Sequence, residues 1–353
     1  MPDLVDVRRD PRRAGHEAER TSAFPMAPVL TGLVLALLLA VGASLAIGTE
    51  PAAPQQVLAA LLGNGADREA QLLVFEYRIP RTAVAIVVGS ALGVAGALMQ
   101  AYTRNPLADP GILGVNAGAA FAVTLAVWAG LPGTTSSLVL PALLGALLAT
   151  VAVLVLGAIG RGPATPVRMT LSGVALAAVL GGVTTGIQLS DSDTFERLRS
   201  WAAGSVAGRS VADLAEVLPY VAVGLLLLPL LVKPLNAIAL GEDVAASLGV
   251  HPGRLRLLTI LTVALLVGAA TAVAGPIGFL GLMVPHACRL LVGNDHTRIV
   301  PMSALAAPVI ILTADVVARV AIPLREMPVG VVTAFIGAPV LLWLIRDKQV
   351  NTQ

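Results

Sequence analysis

Asp315 is the most conspicuous charge in the chain, because it stands inside an apolar run that extends from Ala304 to Ile322. A carboxylate at the middle of a bilayer costs roughly 2.5–3.5 kcal/mol on insertion scales. Arg319 follows four residues later on the same helical face, so the two read as a neutralising pair. A proton relay calls for acids spread over several apolar runs, and no such series is evident. Four arginines, Arg78, Arg81, Arg319 and Arg325, sit where apolar runs end. Such side chains either snorkel to lipid headgroups or form docking cations for an acidic soluble partner, where charge fixes register.

Other chemistry is scarce. A Walker A loop needs Gly-Lys, but the only lysines are Lys233, after Val232, and Lys348, after Asp347. The chain therefore has no standard phosphate-cradling loop, and an ATP-driven cycle would need its motor in another subunit. No Ser-His-Asp set or paired carboxylates stand out, so no catalytic residue is expected and an enzyme is disfavoured. His16, His251, His286 and His296 lack the spacing of metal ligands, and Cys288 is the only cysteine. No disulfide, cysteine metal site or cofactor site is expected within this chain. His286, after Pro285, reads as a packing residue and Cys288 as a small apolar filler.

The elements that must position these residues are membrane helices. Of 353 residues, 56% are hydrophobic and only 12% charged, and the mean hydropathy is +0.86. A soluble domain of this size needs more charge to cover its surface. The thinly spread net charge of +2 does not indicate nucleic-acid binding. A bilayer-crossing helix needs about 20 apolar residues. The runs predict ten segments, at 27–48, 80–101, 112–130, 136–159, 167–189, 213–233, 255–274, 277–292, 300–322 and 328–346. The eighth carries Pro285 and is expected to be short or broken. Residues 1–26 read as a solvated tail, 27–346 as one polytopic domain and 347–353 as a second tail. The first run is too long for an ordinary signal peptide.

Ten crossings put both termini on one side. With the N-terminus inside, the tails and inner loops hold 15 of the 23 basic residues. The positive-inside rule therefore favours N-in, C-in. Two long outer loops, 49–79 and 190–212, carry short helical patterns, Gln55–Leu62 and DTFERLRSWAAG. The inner loop 234–254 contains GEDVAASLGV. There Val244, Ala245 and Leu248 recur on one helical face, acids Glu242 and Asp243 suit the helix start, and Gly249 can end the helix with positive φ. Gly89-xxx-Gly93-xxx-Ala97 and Gly114-xxx-Gly118 allow close helix packing. The glycine-rich second run before Pro110-Gly111 faintly echoes the seventh before Gly275-Pro276, a hint of the internal repeats common in transporters.

Several ordered blocks carry a resemblance. They are RIPRTAVAIVVGSALGVAGALMQAYTRNPLADPGILGVNAGA from Arg78, LSGVAL at 171–176, LGEDVAASLGV at 240–250, GPIGFLGLMVPHACRLLVG at 275–293 and MPVGVVTAFIGAPVLLWL at 327–344. Across about 27–346 the chain resembles the membrane permeases of ABC importers for iron-siderophores, haem and vitamin B12, the type II importers. The resemblance implies an all-α membrane protein of about ten helices in a bacterial cytoplasmic (inner) membrane, with short external and cytoplasmic coupling helices. It implies a second permease subunit, two cytoplasmic ATPases that use ATP and magnesium, and an extracytoplasmic binding protein delivering a metal chelate. It assigns Arg78, Arg81 and Arg319, with Arg325 close by, to docking of that binding protein. It assigns Gly241, Glu242, Val244, Ala245, Leu248 and Gly249 to the ATPase-coupling segment. Small hydroxyl residues before LSGVAL often gate relatives. Here Pro166 and Val167 stand there with Thr165 beside them, so the gate is built differently. A ferric siderophore is the favoured cargo, with haem and cobalamin open. The competing expectation is a stand-alone secondary transporter or channel.

Overall fold

The computed structural model describes residues 24–48, 54–63, 67–159, 166–322 and 326–350. Thr165, Arg325 and most of the two expected tails lie outside them, and so do the side chains of Pro166 and Val167. The described residues form helices and turns. In order these are α1 (Met26–Ala46), α2 (Pro54–Leu62), α3 (Arg68–Leu72), a π turn (Leu73–Arg78), α4 (Ile79–Thr103), a 3-10 turn (Pro110–Leu113), α5 (Val115–Trp128) and α6 (Thr135–Ala158). Then follow α7 (Pro166–Ser190), α8 (Ser192–Ala202), α9 (Val211–Leu226), α10 (Leu228–Ala239), α11 (Glu242–Ser247), α12 (Pro252–Ala274), α13 (Leu280–Val292), α14 (His296–Val320) and α15 (Val329–Val350).

Every expected segment falls on helix, but not all are alike. Six helices are long and apolar enough to cross a membrane by length and composition, and the bent pair α9–α10 makes a seventh. α5, α13 and the apolar part of α15 are shorter. The expected span 213–233 is two helices meeting at 45°. Pro229, in the first turn of α10, has no N–H for the preceding turn, and its ring crowds that turn's carbonyl. The eighth segment is short, as expected, but Pro285 does not break it: α13 runs through it for 13 residues.

α4 is the centre of the bundle. Every residue from Ala91 to Ala101 is buried, the pattern of a helix enclosed on all sides. Its glycines set how close its neighbours come. A Cβ on Gly89 would lie 2.8 Å from the Pro308 backbone of α14, and one on Gly93 would lie 2.5 Å from the Ser303 carbonyl. On the α13 side, a Cβ on Gly96 would lie 2.0 Å from the Gly281 carbonyl oxygen. That carbonyl is four residues before Pro285, which has no N–H to offer it. Backbones therefore touch where other side chains would hold helices 8–10 Å apart. α5 and α6 repeat the device where Gly118 meets Gly145. Gly114 does not belong to that stripe. It takes φ +71° before α5, and a Cβ there would have ordinary contacts of 3.7 Å or more.

A backbone junction joins α8, α12 and α15. Ser205 N donates to Ala274 O at 2.7 Å, Gly330 N to Gly204 O at 2.9 Å, and Trp201 Nε1 to Ala272 O at 3.2 Å. By contrast, only 6% of the apolar window of α7 and 11% of that of α1 are buried inside the chain.

Gly96→Val is expected to remove most folded protein from detergent-solubilised membranes, measured by size-exclusion chromatography and thermal melting. Overpacking costs roughly 1–3 kcal/mol, and the obstructing atom is backbone. Gly181→Ala, which meets nothing within 4 Å, is expected at wild-type yield. A wild-type profile for Gly96→Val would contradict the close approach.

Candidate functional site

Three of the sequence-selected arginines converge at one end of the bundle. The π turn keeps the helix continuous from Arg68 into α4, so much of the expected loop 49–79 is helical. It also turns Arg78 toward the end of α1. Arg78 Nη1 donates to Leu45 O at 2.6 Å and Ala46 O at 3.0 Å. Arg319, in the last turn of α14, donates through Nη1 to Ser44 O at 2.7 Å and Ile47 O at 2.9 Å. Its Nη2 reaches Ser44 Oγ at 3.0 Å. Carbonyls at a helix C-terminus lack intrahelical partners and carry partial negative charge. Two guanidinium groups therefore cap α1, while the Ser44 and Thr82 hydroxyls bond at 2.8 Å.

Asp315 lies behind these caps. The expected pair with Arg319 is present: Arg319 Nε donates to Oδ2 at 3.0 Å, and Nη2 bonds to the same oxygen. Arg81 adds a second clasp, Nη2 to Oδ1 at 2.8 Å and Nε to Oδ2 at 2.9 Å. Arg81 Nη1 then donates to Glu326 Oε2 at 2.8 Å. Asp315 is 1% exposed, Arg319 3% and Arg78 4%. These arginines thus form an enclosed network, not cations splayed along a rim. A cavity of about 520 Å3 opens beside it, lined by Gly48, Glu69, Tyr77, Arg78, Arg81, Arg319 and Glu326.

Sequence reasoning missed the Arg81–Asp315 clasp, the α1 carbonyls and Glu326. The three-residue spacing of Arg78 and Arg81 was one available signal, since it puts both on one helical face. Nothing local pairs Arg81 with an acid 234 residues away.

The second cluster lies at the other end of α4, about 37 Å away for 25 residues at ~1.5 Å each. α11 starts after Gly241 with Glu242 and Asp243 in its first turn, as the sequence predicts. Gly249 has φ +81°, the left-handed geometry expected there. One assignment needs correction. Ala245 is fully buried, while Val244 is 45% and Leu248 64% exposed. Ala245 anchors α11 to its own chain, and Val244 and Leu248 form the outward apolar pair. The three positions span an arc of about 100°, and the Ala245 edge of that arc is turned against the chain's own residues. Behind α11, Glu242 lies 4.0 Å from Arg256, and the Arg256 guanidinium lies 5.8 Å from the Tyr102 ring centre. The Tyr102 hydroxyl is 4.0 Å from Met169 Sδ at the start of α7. Pro166 and Val167 belong to the first turn of that helix. Cys288 is buried as a free thiol. Among the described residues, no three His, Cys, Asp or Glu side chains gather to hold a metal ion.

A chain whose described residues form several bilayer-length apolar helices, with a buried ion network at one end of the bundle, is a multi-pass membrane protein. The profile of the FecCD transport family matches residues 34–347, and the chain belongs to that family. It is 46% identical over 327 residues to the ferric enterobactin transport system permease protein FepD of Escherichia coli (strain K12), covering 92% of this chain and 97% of that one. It is 39% identical over 326 residues to the vitamin B12 import system permease protein BtuC of Salmonella typhi, covering 90% and 94%. Among solved structures, it is similar to a metal-chelate type ABC transporter in an inward-facing conformation. That match has a TM-score of 0.78 at 29% identity, and covers 91% of this chain and 99% of that one.

Asp315→Asn is expected to destabilise the protein strongly, because it leaves Arg81 and Arg319 enclosed without their anion. Breaking a buried pair in this way costs roughly 3–5 kcal/mol. Thermal melting in detergent would read this as a large drop in midpoint. Asp193→Asn, which breaks the exposed pair with Arg197 on α8, is expected to leave the midpoint nearly unchanged. Equal effects would remove the special standing of Asp315.

Proposed function

We propose that this chain is the membrane-spanning permease subunit of an ATP-driven importer for a metal chelate, with a ferric siderophore as cargo. The observation that carries this reading is the 46% identity to a ferric enterobactin permease over 92% of the chain. The absence of a Walker A loop from the sequence supports a motor housed elsewhere, in two cytoplasmic ABC ATPases that use ATP and magnesium. The chain itself binds no cofactor and catalyses no reaction in this scheme.

The two clusters then have separate tasks. Arg78, Arg81, Arg319 and, outside the described residues, Arg325 face the extracytoplasmic side, where a loaded binding protein docks. The segment Gly241–Gly249 faces the cytoplasm. Val244 and Leu248 enter a cleft of the ATPase while Ala245 fixes the segment to the permease. Glu242, Arg256, Tyr102 and Met169 provide a contact route from that segment to the start of α7. Thr165, Pro166 and Val167, at that start, are the gate candidates. A second permease subunit, identical or paralogous, covers the exposed face of α7. The open space beside Gly181, Gly182 and Gly186 supports a surface shaped for close approach or passage. The scheme has ten crossings of the inner membrane, with both termini in the cytoplasm. A stand-alone proton-coupled transporter has less support, since Asp315 is fully engaged by Arg81 and Arg319.

In a Cys288→Ala background, Ser192→Cys is expected to react with an impermeant maleimide on intact cells, and Ser247→Cys only after lysis. Reaction of the second site from outside would reverse the orientation.

Val244→Asp with Leu248→Asp is expected to leave binding-protein docking intact and to cut import several-fold or more per ATP hydrolysed. Proteoliposome transport, with hydrolysis measured in parallel, tests this. A wild-type transport rate with a normally assembled ATPase would move the contact elsewhere, for instance near Arg104.

A further inference from the structure

α10 carries only two polar side chains, Lys233 and Asn236. Lys233 is exposed, whereas Asn236, in the last turn, is half-buried. The Asn236 amide meets the start of α14 at two points. Its Nδ2 donates to Asp295 Oδ1 at 2.7 Å, and the His296 N–H donates to its Oδ1 at 2.9 Å. Asp295 is the N-cap of α14 and accepts from the Thr297 N–H at 2.8 Å. The first N–H groups of a helix have no partner within it. Here one of them is served by Asn236, so a residue of α10 completes the cap of α14.

This tie lies where a push on α11 would enter the bundle. α11 follows α10 after two residues and packs chiefly against it. The contacts leading from α11 toward α7 are looser. Glu242 is 4.0 Å from Arg256, and the Tyr102 hydroxyl is 4.0 Å from Met169 Sδ. The two bonds of Asn236 are short, and hydrogen bonds weaken steeply when misaligned. Leu235 and Ile238, buried beside Asn236, resist separation of α10 from the bundle but not sliding, because apolar contact is non-directional. Sliding of α10 along α14 would strain both bonds of the amide together. α14 in turn touches α4 at backbone distance, and its far end carries Asp315 and Arg319 of the ion network.

We propose that Asn236 is a positioning residue of the transport cycle, which locks the α10–α11 unit to the first turn of α14. Movement of the ATPase at α11 is then delivered to α14 as a directed displacement, and α14 carries it toward the ion network. This rests on the ATPase contact proposed above and names the place where its force enters the bundle.

The test uses the complete transporter in proteoliposomes with its ATPase and cognate binding protein. Import and ATP hydrolysis are measured together, and the melting midpoint is taken on the same preparations. Asn236→Asp keeps an acceptor for the His296 N–H but sets a second carboxylate against Asp295. It is expected to lower import per ATP hydrolysed several-fold. Asp295→Asn in that background removes the repulsion, supplies an amide donor and keeps a good cap residue, and is expected to recover part of the loss. Asn236→Ala removes both bonds without adding charge, so it decides the matter where the charged variant does not fold, and it too is expected to uncouple several-fold. A merely structural role would lower the yield and the midpoint of these variants while import per ATP stays at the wild-type value, and that result would overturn the proposal. Failure of both single variants to fold would place Asn236 among the folding contacts and overturn it as well. Val244→Asp with Leu248→Asp separates this tie from the reading it rests on. If that pair uncouples and the Asn236 variants do not, the tie is wrong and the ATPase contact stands. If neither set changes import per ATP, the ATPase contact at α11 is itself removed.

Discussion

The architecture at the Arg78–Arg81 end of the bundle depends on one buried anion. Asp315 stands where a carboxylate is costly, and the chain neutralises it with arginines from two different helices. Those arginines have donors to spare, because a guanidinium offers five N–H groups and Asp315 uses only some of them. Arg319 gives its remainder to the carbonyl end of α1, and Arg81 gives its remainder to Glu326. A single acid therefore ties α4 and α14 directly, and α1 and the α14–α15 link through the arginines. A lysine at position 81 or 319 would supply charge without this planar fork and could not serve so many acceptors at once.

α4 relates the two ends. It begins at the ion network and ends at Thr103, beside the Tyr102–Arg256 contact behind α11. Between them it is enclosed, and its glycines press backbone against α13 and α14. Packing of that kind transmits displacement poorly by bending and well as a rigid unit, since no side chain is available to repack between the backbones. α4, α13 and α14 are best regarded as one block. A change sensed at one end then reaches the other as movement of the block, with no need for a wire of coupled side chains.

Long elements were legible in the sequence because bilayer-length apolar runs leave little choice of structure. Local chemistry was legible too: Gly249 takes its positive φ, Asp315 pairs with Arg319, and DTFERLRSWAAG forms α8. The failures have three physical sources. Composition does not reveal a backbone break, so 213–233 read as one helix although Pro229 bends it. Nor does one-dimensional spacing reveal which side of a very short helix is already occupied, so Ala245 read as outward-facing. The Arg81–Asp315 clasp was invisible for a third reason. It joins residues 234 positions apart, and only the α4–α14 packing brings them together.

An alternating-access cycle, under the function proposed above, would place its conformational change where the helices are least firmly joined. The α4–α13–α14 block offers little freedom, because its helices are joined at backbone distance. The bend between α9 and α10 and the left-handed Phe279 before α13 are places where helical hydrogen bonding is already interrupted. A dihedral change there breaks few bonds. α7 and α1 have the opposite character, being helices little buried within their own chain. An element with few internal contacts can shift against lipid or a neighbouring subunit without disturbing the core. The start of α7 is also where Met169 meets Tyr102, next to the gate candidates. Rigid block, interrupted joints and loosely held α7 together divide the labour of the proposed cycle. The ion network fixes one end of the block, α11 lies beside the other end, and α7 is the part left free to respond.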